Sequence, residues 1–203
     1  MPRDEEVIVP FRATPATLGV ATQCKSTLIV SSVRALQDNG YFDRYVTQLD
    51  PRHKETVLTC IAGTWLPIEA AIAHYTACGA LGLAVAEQVR MGASVADRIQ
   101  RSLLNTVVRI AAGSGASPWT ALEHFHKFYD RMFDRGGTQV VKVGPKDARV
   151  EIVGLPLASV PYFVNAYRGV IQAGGALFMT RAYASALPAY ASPTSLAFRI
   201  AWA

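Results

Sequence analysis

The chain has 203 residues, 51% of them hydrophobic and only 17% charged, with a net charge of +5. That length suits one domain with its own core, and the low charge leaves little polar surface to spare. Its fifteen Arg and five Lys are scattered rather than gathered into a stripe with aromatics, which argues against a nucleic-acid binder. The three cysteines, Cys24, Cys60 and Cys78, form no paired motif and read as reduced, buried thiols. The start, Met1-Pro2-Arg3-Asp4-Glu5-Glu6, is acidic and polar where a secretory signal would be basic and then apolar. A cytoplasmic protein is expected. Its apolar surplus points to homo-oligomerisation, most simply a dimer.

Residues 1–24 read as an extended arm or loop, in which Val7-Ile8-Val9 is a short apolar run closed by Pro10. A helical part follows over 25–135. Leu28, Val33 and Leu36 share a face of a first helix, ended by Asn39-Gly40, and Tyr41 to Leu49 is a short second one. Asp50-Pro51 supplies an N-cap and a first-turn proline for a third helix running toward Gly63. Trp65 to Ala86 is almost continuously apolar, and its length alone would satisfy a membrane span. Glu69 and His74 oppose that reading, since a charge near the centre of a span costs about 2.5–3.5 kcal/mol. A buried helix, bent near Gly79 and Gly82, is expected instead.

Ser94 is a candidate N-cap for the next helix, through Ile99, Leu103, Val107 and Ile110 to Gly113-Ser114-Gly115. Ser117-Pro118 starts the last helix of this part, with Ala121, Leu122, Phe125, Tyr129, Met132 and Phe133 as its apolar stripe. Beyond Gly136-Gly137 the period changes from about four to two. Thr138–Val143 and Ala148–Val153 form a hairpin around Gly144-Pro145-Lys146-Asp147. Ser159-Val160-Pro161 starts a helix that Gly174-Gly175 ends, and strands over Leu177–Ala184 and Ser195–Trp202 follow. The fold class is therefore α+β: an N-terminal helical bundle packed on a four-stranded antiparallel sheet, with a strand–strand–helix–strand–strand C-terminal unit in 137–203. Nothing divides the chain, so 1–203 is one domain.

No catalytic motif is present. Gly113-Ser114-Gly115 lies between two helices and lacks the order of a nucleophile elbow or the lysine of a P-loop. Of the histidines, His124 and His126 share a helix, but positions i and i+2 point about 200° apart and cannot hold one metal together. No metal site is expected. Asp130 and Asp134 lie among Arg131 and Arg135, which solvated ion pairs explain. The aromatics Phe125, Tyr129, Phe163, Tyr167 and Trp65 could line an apolar pocket between helices and sheet, although aromatics at helical spacing are more often plain core.

Several strings resemble an uncharacterised paralogous family of myxobacterial proteins. They are Ser26-Thr27-Leu28 with Ser32-Val33-Arg34, Gly63-Thr64-Trp65-Leu66-Pro67, Val150 to Gly154, Pro161-Tyr162-Phe163 through Gly169, and Arg199-Ile200-Ala201-Trp202. More remotely, helices followed by strand–strand–helix–strand–strand are similar to the superfamily of haem–nitric-oxide-binding sensors, four-vinyl-reductase domains and TRAPP vesicle-tethering subunits. That resemblance implies haem, a small apolar ligand or an acyl chain as ligand, or a dimerising scaffold role. In the haem-binding relatives a proximal His precedes the first strand, which would make His124 or His126 the haem ligand here. Their Tyr-x-Ser-x-Arg propionate clamp has no counterpart, because Gly137 to Leu157 contains no Tyr and no Ser. The leading expectation is a non-enzymatic cytoplasmic scaffold, signalling or protein-interaction domain that needs no cofactor. The alternative is a sensor or carrier with a small apolar ligand in a pocket between helices and sheet.

Overall fold

A computed structural model of the chain describes residues 5–99 and 117–203. Helix α1 (Ser26–Asp38) buries Leu28, Ile29, Ala35 and Leu36 and is followed by α2 (Phe42–Gln48). The Asp50 carboxylate accepts the Arg52 backbone N–H at 2.9 Å and so caps α3 (Pro51–Thr59), as its sequence demands. This helix stops four residues before Gly63. Cys60 turns extended, and the Ser26 hydroxyl captures the Ile61 carbonyl at 2.6 Å.

The long apolar run is not one helix. Its first residues form strand β3 (Trp65–Pro67), paired antiparallel with β2 (Gln23–Lys25). The rest divides into α4 (Ile68–Gly79) and α5 (Val85–Ile99), joined by a turn in which the Leu81 and Gly82 amides donate to the Cys78 and Gly79 carbonyls. Among the described residues no helix is long and apolar enough to cross a membrane. Ser94 does not start a helix. It lies inside α5, where its hydroxyl donates to the Met91 carbonyl at 2.9 Å, a bond that a mid-helix serine can make without ending the helix. The expected continuation through Leu103, Val107 and Ile110 to Gly113-Ser114-Gly115 lies outside the described residues.

The single helix expected after Ser117 is two, α6 (Pro118–Glu123) and α7 (Phe125–Met132). The break falls at His124, whose φ of −96° and ψ of 1° leave the helical region. The acids of this region form partly exposed ion pairs, Asp134 with Arg135 at 3.9 Å as expected and Asp130 with Arg12 of the N-terminal arm instead of Arg131. The Asp134 carboxylate accepts the Thr22 and Gln23 amides, both at 2.9 Å, and the Thr22 hydroxyl at 2.7 Å, tying the start of β2 to the end of α7. Burial acts to raise its pKa, but these three donors outweigh it and hold the group below the usual carboxylate range.

The main sheet has five strands in the order β1-β4-β5-β7-β6, all neighbours antiparallel. They are β1 (Glu6–Val9), β4 (Gly137–Gly144), β5 (Asp147–Val153), β6 (Ala182–Ala186) and β7 (Ser195–Trp202). The fifth strand comes from the N-terminal arm, held where Lys142 meets Glu6 at 3.0 Å and Arg149 meets Glu5 at 2.6 Å. One face (Val140, Val150, Ile152, Phe198, Ile200) joins the core beneath α8 (Pro161–Gly175). The other carries Arg149 with Glu151 and Arg199 with Asp147. The strand expected over Leu177–Ala184 begins only at Ala182. Residues 176–178 instead continue the end of α8 as turns, their amides donating to the carbonyls of Gln172, Gly174 and Gly175.

Candidate functional site

A cavity of about 470 Å³ lies between the end of α5, helices α6 and α7, the C-terminal half of α8 and the sheet. Helix α8 contributes Tyr167, Val170 and Ile171, and the turns after it contribute Leu177, Phe178 and Met179. Phe125 and Phe128 project from α7, Ala96 and Ile99 from α5, and Ile200 from β7. This is the size and the apolar character of a site for one small organic molecule.

Two features break the apolar lining. Tyr167 is buried to 2% exposure, and its hydroxyl has no hydrogen-bond partner among the described residues. A hydroxyl left unpaired in apolar surroundings costs about 1–3 kcal/mol, and the same burial pushes its pKa up. The second feature is the rim. His124, Lys127 and Arg131 line the cavity and are exposed, so they mark its mouth along one side of α7.

The sequence-predicted pocket residues are separated by the fold. Phe125 and Tyr167 line the cavity. Tyr129 is buried beside it but turns its hydroxyl to the Arg135 carbonyl, at 3.0 Å. Phe163 lies one turn back on α8 and faces α4, with Tyr75 at 5.0 Å between ring centroids. Trp65 belongs to the two-stranded sheet, exposed beneath the Lys25 ammonium at 4.0 Å, because its segment is a strand rather than a helix entry. The helix break separates the paired histidines. His124 reaches the cavity mouth, while His126 does not line the cavity and donates from Nδ1 to the Glu123 carbonyl at 2.8 Å. Phe128, Lys127 and Arg131 could have been found from their spacing with His124. Leu177, Phe178 and Met179 carried no such signal, since their apolar run reads equally well as a strand.

A second polar group lies deep in the helical part. The His74 ring has Nδ1 2.6 Å from the Tyr45 hydroxyl and Nε2 2.9 Å from the Ser32 hydroxyl, with the Cys78 sulfur 3.7 Å away. Burial lowers its pKa to about 3, so it is neutral. Burial also pushes the Cys24 thiol up to about 12 and the Cys78 thiol higher, which makes both inert as nucleophiles. Among the described residues no cluster of three or more His, Cys, Asp or Glu could hold a metal ion.

No protein-family model matches the chain, and no curated protein matches it in sequence. Solved structures do match in fold, and they are haem–nitric-oxide-binding (H-NOX) domains. The Fe(II) unliganded H-NOX protein from K. algicida superposes with a TM-score of 0.59 at 12% identity, over 88% of this chain and 96% of that one. A mutant of that protein gives 0.62 at 11% identity over the same shares. A structure from work on haem distortion in the H-NOX family gives 0.57 at 10% identity, over 88% of this chain and 94% of that one. The chain has the H-NOX fold.

Proposed function

We propose that this protein is a sensor or carrier domain that encloses one small, largely apolar molecule in the cavity beneath α8. The observation that carries this reading is the cavity itself: about 470 Å³ lined almost wholly by apolar side chains from α5, α7, α8 and β7. A bound molecule that is largely apolar fills this space and covers the side chains that line it. The H-NOX fold supports the same reading, because the structural neighbours are described as haem proteins, whose protein distorts the porphyrin in one case. The balance therefore moves from the scaffold expectation to its alternative.

Haem itself does not fit these residues. Of His124 and His126 only His124 lines the cavity, and it is exposed to solvent there instead of enclosed, as a haem ligand would be. The hairpin that supplies the propionate clamp in haem-binding relatives has neither Tyr nor Ser here. Native mass spectrometry of the full chain, with identification of any released molecule, tests the proposal. The expected result is the chain with one small organic molecule and no Soret absorption. A bare chain that no added apolar compound stabilises against heating would overturn the ligand-binding reading. A Soret band abolished by His124→Ala would overturn the exclusion of haem.

A further inference from the structure

We infer that the outer edge of β6 is a docking surface for a second copy of this chain, the two β6 strands pairing antiparallel about a two-fold axis at Ala184. This surface is independent of the cavity. Strand β6 ends the sheet, and its one neighbour there is β7, in an unbroken register from Ala182↔Trp202 to Ala186↔Phe198. The bonds at either end of this ladder fix which way its backbone faces. The Leu187 amide donates to the Ala197 carbonyl at 2.9 Å, and the Ala203 amide donates to the Arg181 carbonyl at 3.2 Å. Hydrogen-bonded pairs alternate along an antiparallel ladder, so residues 181, 183, 185 and 187 bond toward β7. The N–H and C=O groups of Ala182, Ala184 and Ala186 therefore point away from β7, and no bond reaches them from the described residues.

The two edges of the sheet are built differently. Native sheets guard an open edge with charge, proline or a bulge. Strand β1 has a bulge between Val7 and Val9, the Glu6–Lys142 ion pair, and Pro10 directly after it. Strand β6, Ala182-Tyr183-Ala184-Ser185-Ala186, has none of these, and its Tyr183 stands 53% exposed. Its sequence reads nearly the same in both directions, which suits a partner of the same sequence running the other way. With Ala184 opposite its own copy, Ala182 meets Ala186 of the second copy, and Tyr183 meets Ser185 of the second copy. The outward groups of the three alanines then bond one another. Methyl groups meet on one face of the joined sheet and a Tyr–Ser pair on the other, without bulk or charge to oppose the approach. The nearest charge, Arg181, falls opposite Leu187 of the second copy and away from its own counterpart. A two-fold contact also closes on itself. It joins the two five-stranded sheets into one and leaves the guarded β1 edges at the ends.

Sedimentation velocity of the full chain tests the pairing. So small an interface is expected to hold at about 100 µM and to be dissociated at about 1 µM. Ala186→Pro removes an outward N–H and no bond to β7, so it should leave the chain monomeric at about 100 µM with its melting temperature unchanged. Ser185→Lys, at an exposed position, should do the same by placing a charge on the edge. The register is tested by cross-linking. In a Cys60→Ser background, Tyr183→Cys together with Ser185→Cys should give a covalent dimer under mild oxidation, because the Ala184-centred pairing sets these two positions against each other. A full chain that stays monomeric at about 100 µM would overturn the inference. A dimer that persists in both edge variants, or one whose paired cysteines fail to cross-link, would also overturn it and assign the contact to another surface.

Discussion

His74 is fully buried yet keeps both ring nitrogens within hydrogen-bonding distance of hydroxyls, Tyr45 on one side and Ser32 on the other. Its stability consequence follows from its charge. The folded pKa is about 3, against 6.5 for an unperturbed histidine, so below pH 6.5 the unfolded chain binds a proton that the folded chain refuses. The contribution is complete above pH 6.5 and is lost as the pH falls toward 3. The loss runs at about 1.4 kcal/mol per pH unit, or roughly 2 kcal/mol by pH 5. Urea midpoints between pH 7 and 5 should therefore fall with pH in the native chain. In His74→Gln, which starts less stable, they should stay nearly level over that window, and parallel slopes would refute the assignment. The sequence showed His74 on an apolar helix and suggested burial. Its partners were illegible because Tyr45 and Ser32 lie 29 and 42 residues away.

At the scale of elements, α5 and α8 interlock through reciprocal glycines. A Cβ on Gly92 would sit 1.8 Å from the Ala166 carbonyl oxygen, and one on Gly169 would sit 1.9 Å from that of Val89. Each helix backbone thus occupies the space where the other would carry a methyl group. Gly92→Ala or Gly169→Ala should cost about 3 kcal/mol through forced separation of the helices. At this chain length that lowers the melting temperature by roughly 6–12 °C, measurable by calorimetry. Gly174→Ala, where a Cβ meets nothing within 4 Å, should leave it unchanged or slightly raised. Helices with local signals were legible: the Asp50 cap, the Ser117-Pro118 start and the Gly174-Gly175 end all mark real boundaries within a residue or two. Elements whose apolar residues serve something other than regular structure were misread. Leu177 to Met179 line the cavity as turns, and Trp65 to Pro67 pair as a strand with one 40 residues earlier that no local signal announces.

On the scale of the whole molecule, the hairpin of β4 and β5 and its partner β7 were legible from alternation, since register along each strand decides which side chains meet the core. The fifth strand was only half visible. Val7 to Val9 looked extended, but nothing local could say that they pair with Val140 and Val141. That pairing covers the edge of β4. Removing residues 1–10 should expose it as an unpaired strand rich in valine and promote self-association. Sedimentation of the truncated chain is expected to show concentration-dependent aggregates that the full chain lacks, and a monodisperse truncated chain would count against a protective role for β1.

The closure of the sheet by its first strand also has a consequence in time. Glu6 and Lys142, which meet across β1 and β4, are 136 residues apart, so β1 leaves the ribosome long before its partner exists. At about 5–20 residues per second that wait is roughly 7–27 seconds. During synthesis β1 stays without its partner strand, and the sheet can be completed only after the hairpin behind it has been made.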